Sequence, residues 1–352
     1  MTMLTHFLLK CSIALTQNKN KGETMLRKIV LGVALVLASA SANEGEKKDL
    51  RFAVEYTSHA TSFYYAEAKE MFKENGINVN DVKVYVSGVG VATAFVKEHF
   101  DVAYMCLVPA ITTYANGGVP IKIIAGTHKD GYGIVVNSSK IKTIQDLGKE
   151  GAKIGVGPKG TVTSFIQEVF IEKAGFDKAK VEKNFVTMNA SKQIMALKAG
   201  LVDAIIVPEH FATLAAGLEG MGMLVQSKDL WKDLQGSVIV VSDSMVQKYP
   251  KTVEKIKKIN QQSINEINKD NNEASVIVAK NLNVYQNRIK TQTKSPSIDL
   301  TVTPQIAKGS IENLILTSEI SIEAVQEVIE KMVQYGFIRE PFDAREILVL
   351  DK

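Results

Sequence analysis

From about residue 51 onward, short β-rich runs alternate with helix-length amphipathic stretches. Arg51–Tyr56, Val82–Ser87, Asp101–Leu107 and Ile121–Ala125 read as strands, and Phe63–Asn75 as one of the helices between them. After Asp130-Gly131-Tyr132-Gly133, the run Ile134-Val135-Val136 opens a second set. Its strands are expected at Ala152–Val156, Asn184–Met188, Ala204–Val207 and Met223–Gln226, and its helices at Thr163–Ala174, Ser191–Ala199 and His210–Leu218. Val238–Val241 reads as a returning strand, Ser244–Asn281 is helical in spacing, and Lys290–Thr303 reads as a surface loop. Such alternation predicts mostly parallel sheets covered by helices. Two sets joined by two strand crossings predict two lobes, with a cleft between the carboxyl ends of both sheets.

The expected boundaries are 51–132 with 238–352 for lobe 1 and 133–237 for lobe 2. The expected cores are Phe52, Val54, Val84, Val86, Val102, Tyr104, Ile123 and Ile124 in the first, and Ile154, Val156, Phe185, Ile205, Ile206 and Leu224 in the second.

Residues 1–42 follow a different pattern. Leu26-Arg27-Lys28, an apolar run from Ile29 to Ala38, and Ser39-Ala40-Ser41-Ala42 have the layout of a secretory signal at 25–42. The apolar run is about ten residues against the roughly 20 that span a bilayer, so cleavage after Ala42 is expected rather than retention as an anchor. Translation is expected to start at Met25, because Lys21-Gly22-Glu23 is what a purine-rich ribosome-binding site would encode. A lipid anchor on Cys11 is disfavoured by Lys10, where a small residue is needed.

Loss of this segment changes the charge. The full chain has 42 basic and 38 acidic residues; removing Lys10, Lys19, Lys21, Arg27 and Lys28 against Glu23 leaves 37 of each. A neutral mature chain without a basic run interleaved with aromatics argues against nucleic acid as a partner, and a monomer is the default expectation.

Catalytic patterns are missing. The chain has no G-x-S-x-G elbow, H-E-x-x-H, phosphate-binding loop or paired C-x-x-C. Cys106, the one cysteine after maturation, sits in the apolar run Ala103–Val108 with no activating base beside it, and reads as a buried structural thiol. His99 reads as a solvated helix end. His59, His128 and His210 each follow a predicted strand and are expected near the cleft mouth, but without metal-ligand spacing. No cofactor or metal is expected.

Four loops fall at strand ends. Tyr56-Thr57-Ser58-His59-Ala60-Thr61-Ser62 is dense in donors and acceptors; Ser87-Gly88-Val89-Gly90 and Gly157-Pro158-Lys159-Gly160-Thr161-Val162-Thr163 open helices. Helix capping alone also explains such loops. Val207-Pro208-Glu209-His210 sets a carboxylate beside an imidazole, where Glu209 reads as a ligand acceptor or, less favourably, as the base of a hydrolase.

An ordered set of stretches carries a family resemblance: His59-Ala60-Thr61-Ser62-Phe63-Tyr64-Tyr65-Ala66, Met71–Val79, Ser87-Gly88-Val89-Gly90-Val91-Ala92, Phe100–Tyr104, Gly117–Ala125, Ala199–Ala204 and Gln261–Ala274. The chain resembles the periplasmic substrate-binding proteins of ABC transporters in the nitrate, sulfonate, taurine and thiamine-pyrimidine-precursor-binding superfamily. The resemblance implies an α/β, two-lobed type II periplasmic binding-protein fold with a hinged interlobe cleft, periplasmic localisation, no catalysis, and partnership with a permease and its ATPase.

Carried over residue by residue, it implies ligand contact around Tyr56, Thr57, Ser58, His59 and Ser62, around Ser87, Gly88 and Val89, around Met105, Leu107 and Val108, and around Gly160, Thr161, Val162 and Thr163, with Glu209 and His210 beside them. Lys159, Thr161 and Thr163 suit an alkanesulfonate-like anion; Glu209 suits an amino-substituted pyrimidine. Thr61 stands where pyrimidine binders usually carry Pro, and Met105–Val108 offers no aromatic stacking partner. A ligand-sensing subunit of a membrane receptor and a secreted enzyme on the same fold are the competing functions.

Overall fold

The structure is a computed structural model that describes residues 45–293 and 300–349. The expected signal segment lies outside the described residues. Contacts separate residues 1–47 from a unit running over 48–352, and the architecture below is that of the second unit.

Eleven strands form two sheets among the described residues. The first has six strands in the order β11-β4-β10-β3-β1-β2, built from β1 (Asp49–Glu55), β2 (Asn78–Tyr85), β3 (Val102–Cys106), β4 (Ile121–Asp130), β10 (Gln235–Ser242) and β11 (Leu314–Leu316). β1 pairs in parallel with β2 and β3, whereas β10 runs antiparallel between β3 and β4. The second sheet has the order β7-β6-β8-β5-β9, from β5 (Tyr132–Asn137), β6 (Ile154–Val156), β7 (Phe185–Thr187), β8 (Ala204–Pro208) and β9 (Met221–Gln226). Here β6 is parallel to β7 and β8, and β5 is antiparallel to β8 and β9.

Strands buried on both faces fall where continuous apolar runs mark them, but β4 runs past the expected Ala125 to Asp130, and β10 spans Gln235–Ser242 rather than Val238–Val241. Alternation then divides each run: Phe52 and Val54 join one apolar cluster, and Ala53 joins the other. Both clusters draw on both sheets. Edge strands differ from expectation. β2 starts at Asn78 rather than Val82 and is polar along its exposed half, and the three-residue β11 was not foreseen. Val86, expected in the core, is 52 % exposed, while Val84, Phe185 and Leu224 are half-buried.

The helix expected over Phe63–Asn75 is two helices, Thr61–Ala68 and Met71–Glu74, broken where Glu70 takes a left-handed φ of 55°. The helical region after Ser244 is three helices, Asp243–Lys248, Pro250–Lys269 and Asn271–Thr293. Pro250 opens the second, and Asp270 ends it with extended backbone. The region expected as a loop over Lys290–Thr303 begins in helix, and Thr303 caps the helix Pro304–Glu312.

Two crossings join the sheets. At the first, Asp130 and Gly131 both have positive φ, 61° and 89°. The Asp130 amide donates to Leu234 O at 2.7 Å, tying this crossing to the second, which runs from the end of β9 to the start of β10. A Cβ on Gly131 would lie 2.4 Å from Leu314 Cδ2, so both conformation and packing require glycine there. Elsewhere between the sheets, the Glu172 carboxylate on helix Val162–Ala174 accepts from Lys331 Nζ at 2.7 Å and from Tyr335 OH at 2.7 Å.

Candidate ligand-binding cleft

The carboxyl ends of strands from both sheets converge on a cavity of about 160 Å³. The first sheet supplies Glu55 at the end of β1, Ser87 and Gly88 after β2, and Cys106 at the end of β3. The second supplies Thr161, Val162 and Thr163 after β6, Asn189 and Gln193 after β7, and Pro208 at the end of β8; Tyr132 stands at the crossing. Four helices start at this wall. Ser87, Thr161 and Asn189 accept from the first-turn amides of Gly90, Ser164 and Lys192, while Cys106 is the cap residue of helix Leu107–Ala115.

Glu55 is the ionisable group of the lining that has no opposite charge beside it. Its Oε2 accepts from Cys106 Sγ at 2.9 Å and from the Cys106 amide at 3.3 Å. Burial raises its pKa against the opposing pull of Cys106 and the Gly88 amide. Cys106 also contacts Tyr132 OH at 3.1 Å and, more loosely, His59 Nδ1 at 3.8 Å. Burial and the adjacent Glu55 push the thiol well above its ordinary range, so it remains a protonated donor rather than a thiolate nucleophile. Gln193 is 1 % exposed; its Nε2 donates to Met188 O at 3.1 Å, which orients the amide and leaves Oε1 without a partner. Neither Glu55 nor Gln193 was singled out in the sequence.

Of the residues that were, Ser87, Gly88, Thr161, Val162 and Thr163 line the cavity. Val89 and Gly160 face one another, a Cβ on Gly160 falling 3.8 Å from Val89 Cγ2. Gly160 has φ 92°, which lets the loop turn into its helix. Lys159 is exposed and outside the lining. Met105, Leu107 and Val108 are buried in the apolar cluster beneath.

The histidine loop lies behind this wall rather than on it. Thr57 accepts from the His59 amide at 3.2 Å, Ser58 Oγ accepts from Ser310 Oγ at 2.6 Å, and Ser62 O accepts from Ser263 Oγ at 2.8 Å. Tyr56 packs edge-on against His210. His59, His128 and His210 are all buried rather than at a cleft mouth, because each is held at the crossings. His59 Nε2 meets Gly131 O at 2.7 Å and its ring stacks on His128 at 4.3 Å, while His210 Nδ1 accepts from the Ser58 amide at 3.3 Å. Burial lowers their pKa values, to about 4 for His59 and about 3 for His210, keeping the rings neutral. Glu209 accepts from Thr213 Oγ1 at 3.2 Å and from Asn313 Nδ2, and burial raises its pKa to about 8. It borders a separate space of about 10 Å³ shared with Asp130 and Ser227.

The sequence profile of the NMT1-like family matches residues 43–282. The chain belongs to the NMT1-like family. No curated protein matches its sequence. Solved structures resemble this family member in fold. The periplasmic aliphatic sulphonate binding protein SsuA from Escherichia coli aligns with a TM-score of 0.70 and 14 % identity over 86 % of this chain and 97 % of that one. The ligand-binding component of an ABC-type import system from Staphylococcus aureus, with zinc bound, gives 0.69 and 14 % over 86 % and 97 %. The periplasmic nitrate-binding protein NrtA from Synechocystis PCC 6803 gives 0.67 and 14 % over 87 % and 86 %. The NMT1-like chain therefore has the two-lobed α/β fold of periplasmic binding proteins. Among its described residues, no group of three or more His, Cys, Asp or Glu converges to hold a metal ion.

Proposed function

We propose that the chain is the substrate-binding component of an ABC importer. It is exported to the periplasm, captures a small organic solute between its lobes, 51–132 with 238–352 and 133–237, and delivers it to a membrane permease with its ATPase. The observation that carries this reading is the cavity at the strand ends, whose walls come from both sheets. A solute held there touches both lobes and favours the closed arrangement by its differential affinity, which is what a permease reads. The fold matches to binding proteins named for import, sulphonate and nitrate support the same role. A protonated Cys106 and neutral histidines supply no activated nucleophile, which favours capture over catalysis.

A cavity of about 160 Å³ suits a small solute. A thiamine-precursor-like pyrimidine and an alkanesulfonate-like anion such as taurine both fit that size class. The test is a thermal-shift screen of ligand-stripped protein with hydroxymethylpyrimidines, alkanesulfonates, taurine and nitrate, paired with solute uptake by a strain lacking the protein. A ligand at 100 times Kd adds about 2.7 kcal/mol to stability, a rise of several degrees. Capture is overturned if no solute raises the melting temperature and uptake does not depend on the protein.

A further inference from the structure

Resting on the capture reading, we propose that this cleft recognises its solute as a hydrogen-bond donor: a nitrogen base whose N–H group meets the Glu55 carboxyl group, not an oxyanion.

Helix N-termini attract anions, and two of those at the cavity belong to the first sheet's side. Glu55 already occupies them. Its Oε2 takes the Cys106 amide at the start of helix Leu107–Ala115, and a Cβ on Gly88, the first residue of helix Gly88–Lys97, would lie 3.2 Å from the same oxygen. The carboxyl group thus fills the place where an oxyanion would meet the two helix starts on the first sheet's side.

The second sheet's hydroxyls are committed as well. Thr161 Oγ1 donates to Pro158 O at 2.7 Å and sits 3.0 Å from Thr163 Oγ1. Among the described residues, no Lys, Arg or His lines the cavity. Glu55, the acidic residue of the wall, is 7 % exposed, with its described side-chain hydrogen bonds on Oε2 alone, and within the same wall Gln193 Oε1 is buried and accepts nothing. Buried acceptors without donors are costly, and a donor-bearing ligand removes that cost. The same asymmetry rejects an analogue that lacks the N–H.

Two matched pairs test this on the unmodified protein by titration calorimetry: 4-amino-5-hydroxymethyl-2-methylpyrimidine against its N,N-dimethylamino analogue, and ethanolamine against choline. Methanesulfonate and nitrate serve as the anions. We expect the N–H member of at least one pair to bind, its methylated counterpart to bind at least tenfold more weakly, and the anions not to bind. Glu55→Gln should weaken the binding member by about tenfold or more, because it sets an amide NH2 donor where the solute's N–H needs an acceptor. Binding of methanesulfonate or nitrate that Glu55→Gln leaves unchanged overturns the donor assignment and preserves capture. Equal binding within both pairs overturns the donor assignment alone, without recourse to any variant. Failure of all six compounds counts against both readings.

Discussion

Two buried polar regions lie side by side in this molecule, and volume separates them. At the crossings, Glu209, Asp130, Gly131 and Asn313 border a space of about 10 Å³, enough for about one water, and His59 and His128 are packed beside Gly131. In the cleft, Glu55, Cys106, Tyr132 and Gln193 border about 160 Å³. Both regions hold acceptors without partners, Glu209 Oε2 in one and Gln193 Oε1 in the other. Unmet polarity without room is a structural cost borne by the fold, whereas unmet polarity beside room for a solute is a recognition surface. Chemical composition alone would have favoured the histidines.

The sharpest way to break the contrast is at Gly131. Gly131→Ala forces a left-handed φ on a residue with a side chain and drives its Cβ into Leu314. Destabilisation of about 2–4 kcal/mol is expected in urea unfolding. The three atoms nearest this Cβ belong to Leu314, His59 and His128, none of which lines the cleft, so solute affinity measured well below the unfolding transition should change little. A large loss of affinity at unchanged stability would merge the two regions into one site.

Acid should loosen the crossings next. His59 has a folded pKa of about 4, below the ordinary 6.5, so the unfolded chain binds the proton more tightly. Its contribution is present above pH 6.5 and is lost as pH falls through 4, a loss on the order of 3 kcal/mol. His210 adds to it in the same direction. Glu209 acts oppositely: its pKa of about 8 lies above the ordinary 4.5, so its contribution is present below pH 4.5 and is lost as pH rises through 8. Urea midpoints from pH 4 to 9 should therefore show His59→Gln flattening the acid side and Glu209→Gln the alkaline side. A profile that neither variant alters would remove the crossings as its source.

Much of this was legible in the chain, and the part that was not has a physical pattern. Central strands announced themselves because both faces are apolar, as in Phe52-Ala53-Val54. The start of β2 and all of β11 lie on sheet edges, where pairing rather than composition makes the strand. The loops opening helices at Ser87 and Thr161 were found from their glycines and hydroxyls. Glu55 and Gln193 were not. One is a single acid in an apolar run, the other a single amide in an amphipathic helix, and either pattern ordinarily means a solvated residue. Glu209 and His210 satisfied the same strand-end criterion that Glu55 satisfies. Their direction is decided by Asn313 and Ser58, far away in sequence, which no local pattern reports.

Ligand-free stability separates the roles of Glu55 and Glu209 further. Burial raises the Glu55 pKa, so its contribution is present below about pH 4.5 and is lost as pH rises through the folded value. Glu55→Gln should therefore leave the empty protein equally or more stable above neutral pH, by on the order of 1 kcal/mol, the low end of what a buried polar group costs. Higher affinity for the solute in the wild type alongside lower stability when empty is the signature expected of a recognition group. Lower urea midpoints for Glu55→Gln at every pH would instead make Glu55 a structural residue.

The smallest effect belongs to Thr161. Its Oγ1 accepts from the Ser164 amide at 3.3 Å and donates to Pro158 O. Removing it uncaps helix Val162–Ala174 at a cost of about 1 kcal/mol in urea unfolding. The same hydroxyl, with that of Thr163, presses on the backbone at Gly157, where a Cβ would lie 2.7 Å away. Because its hydrogen bonds to Pro158, Ser164 and Thr163 are all spent inside the loop, Thr161 shapes the wall of the cleft without offering it a donor. Solute affinity should then fall less than threefold in Thr161→Ala, against tenfold or more in Glu55→Gln, and the reverse order would move recognition to the second sheet.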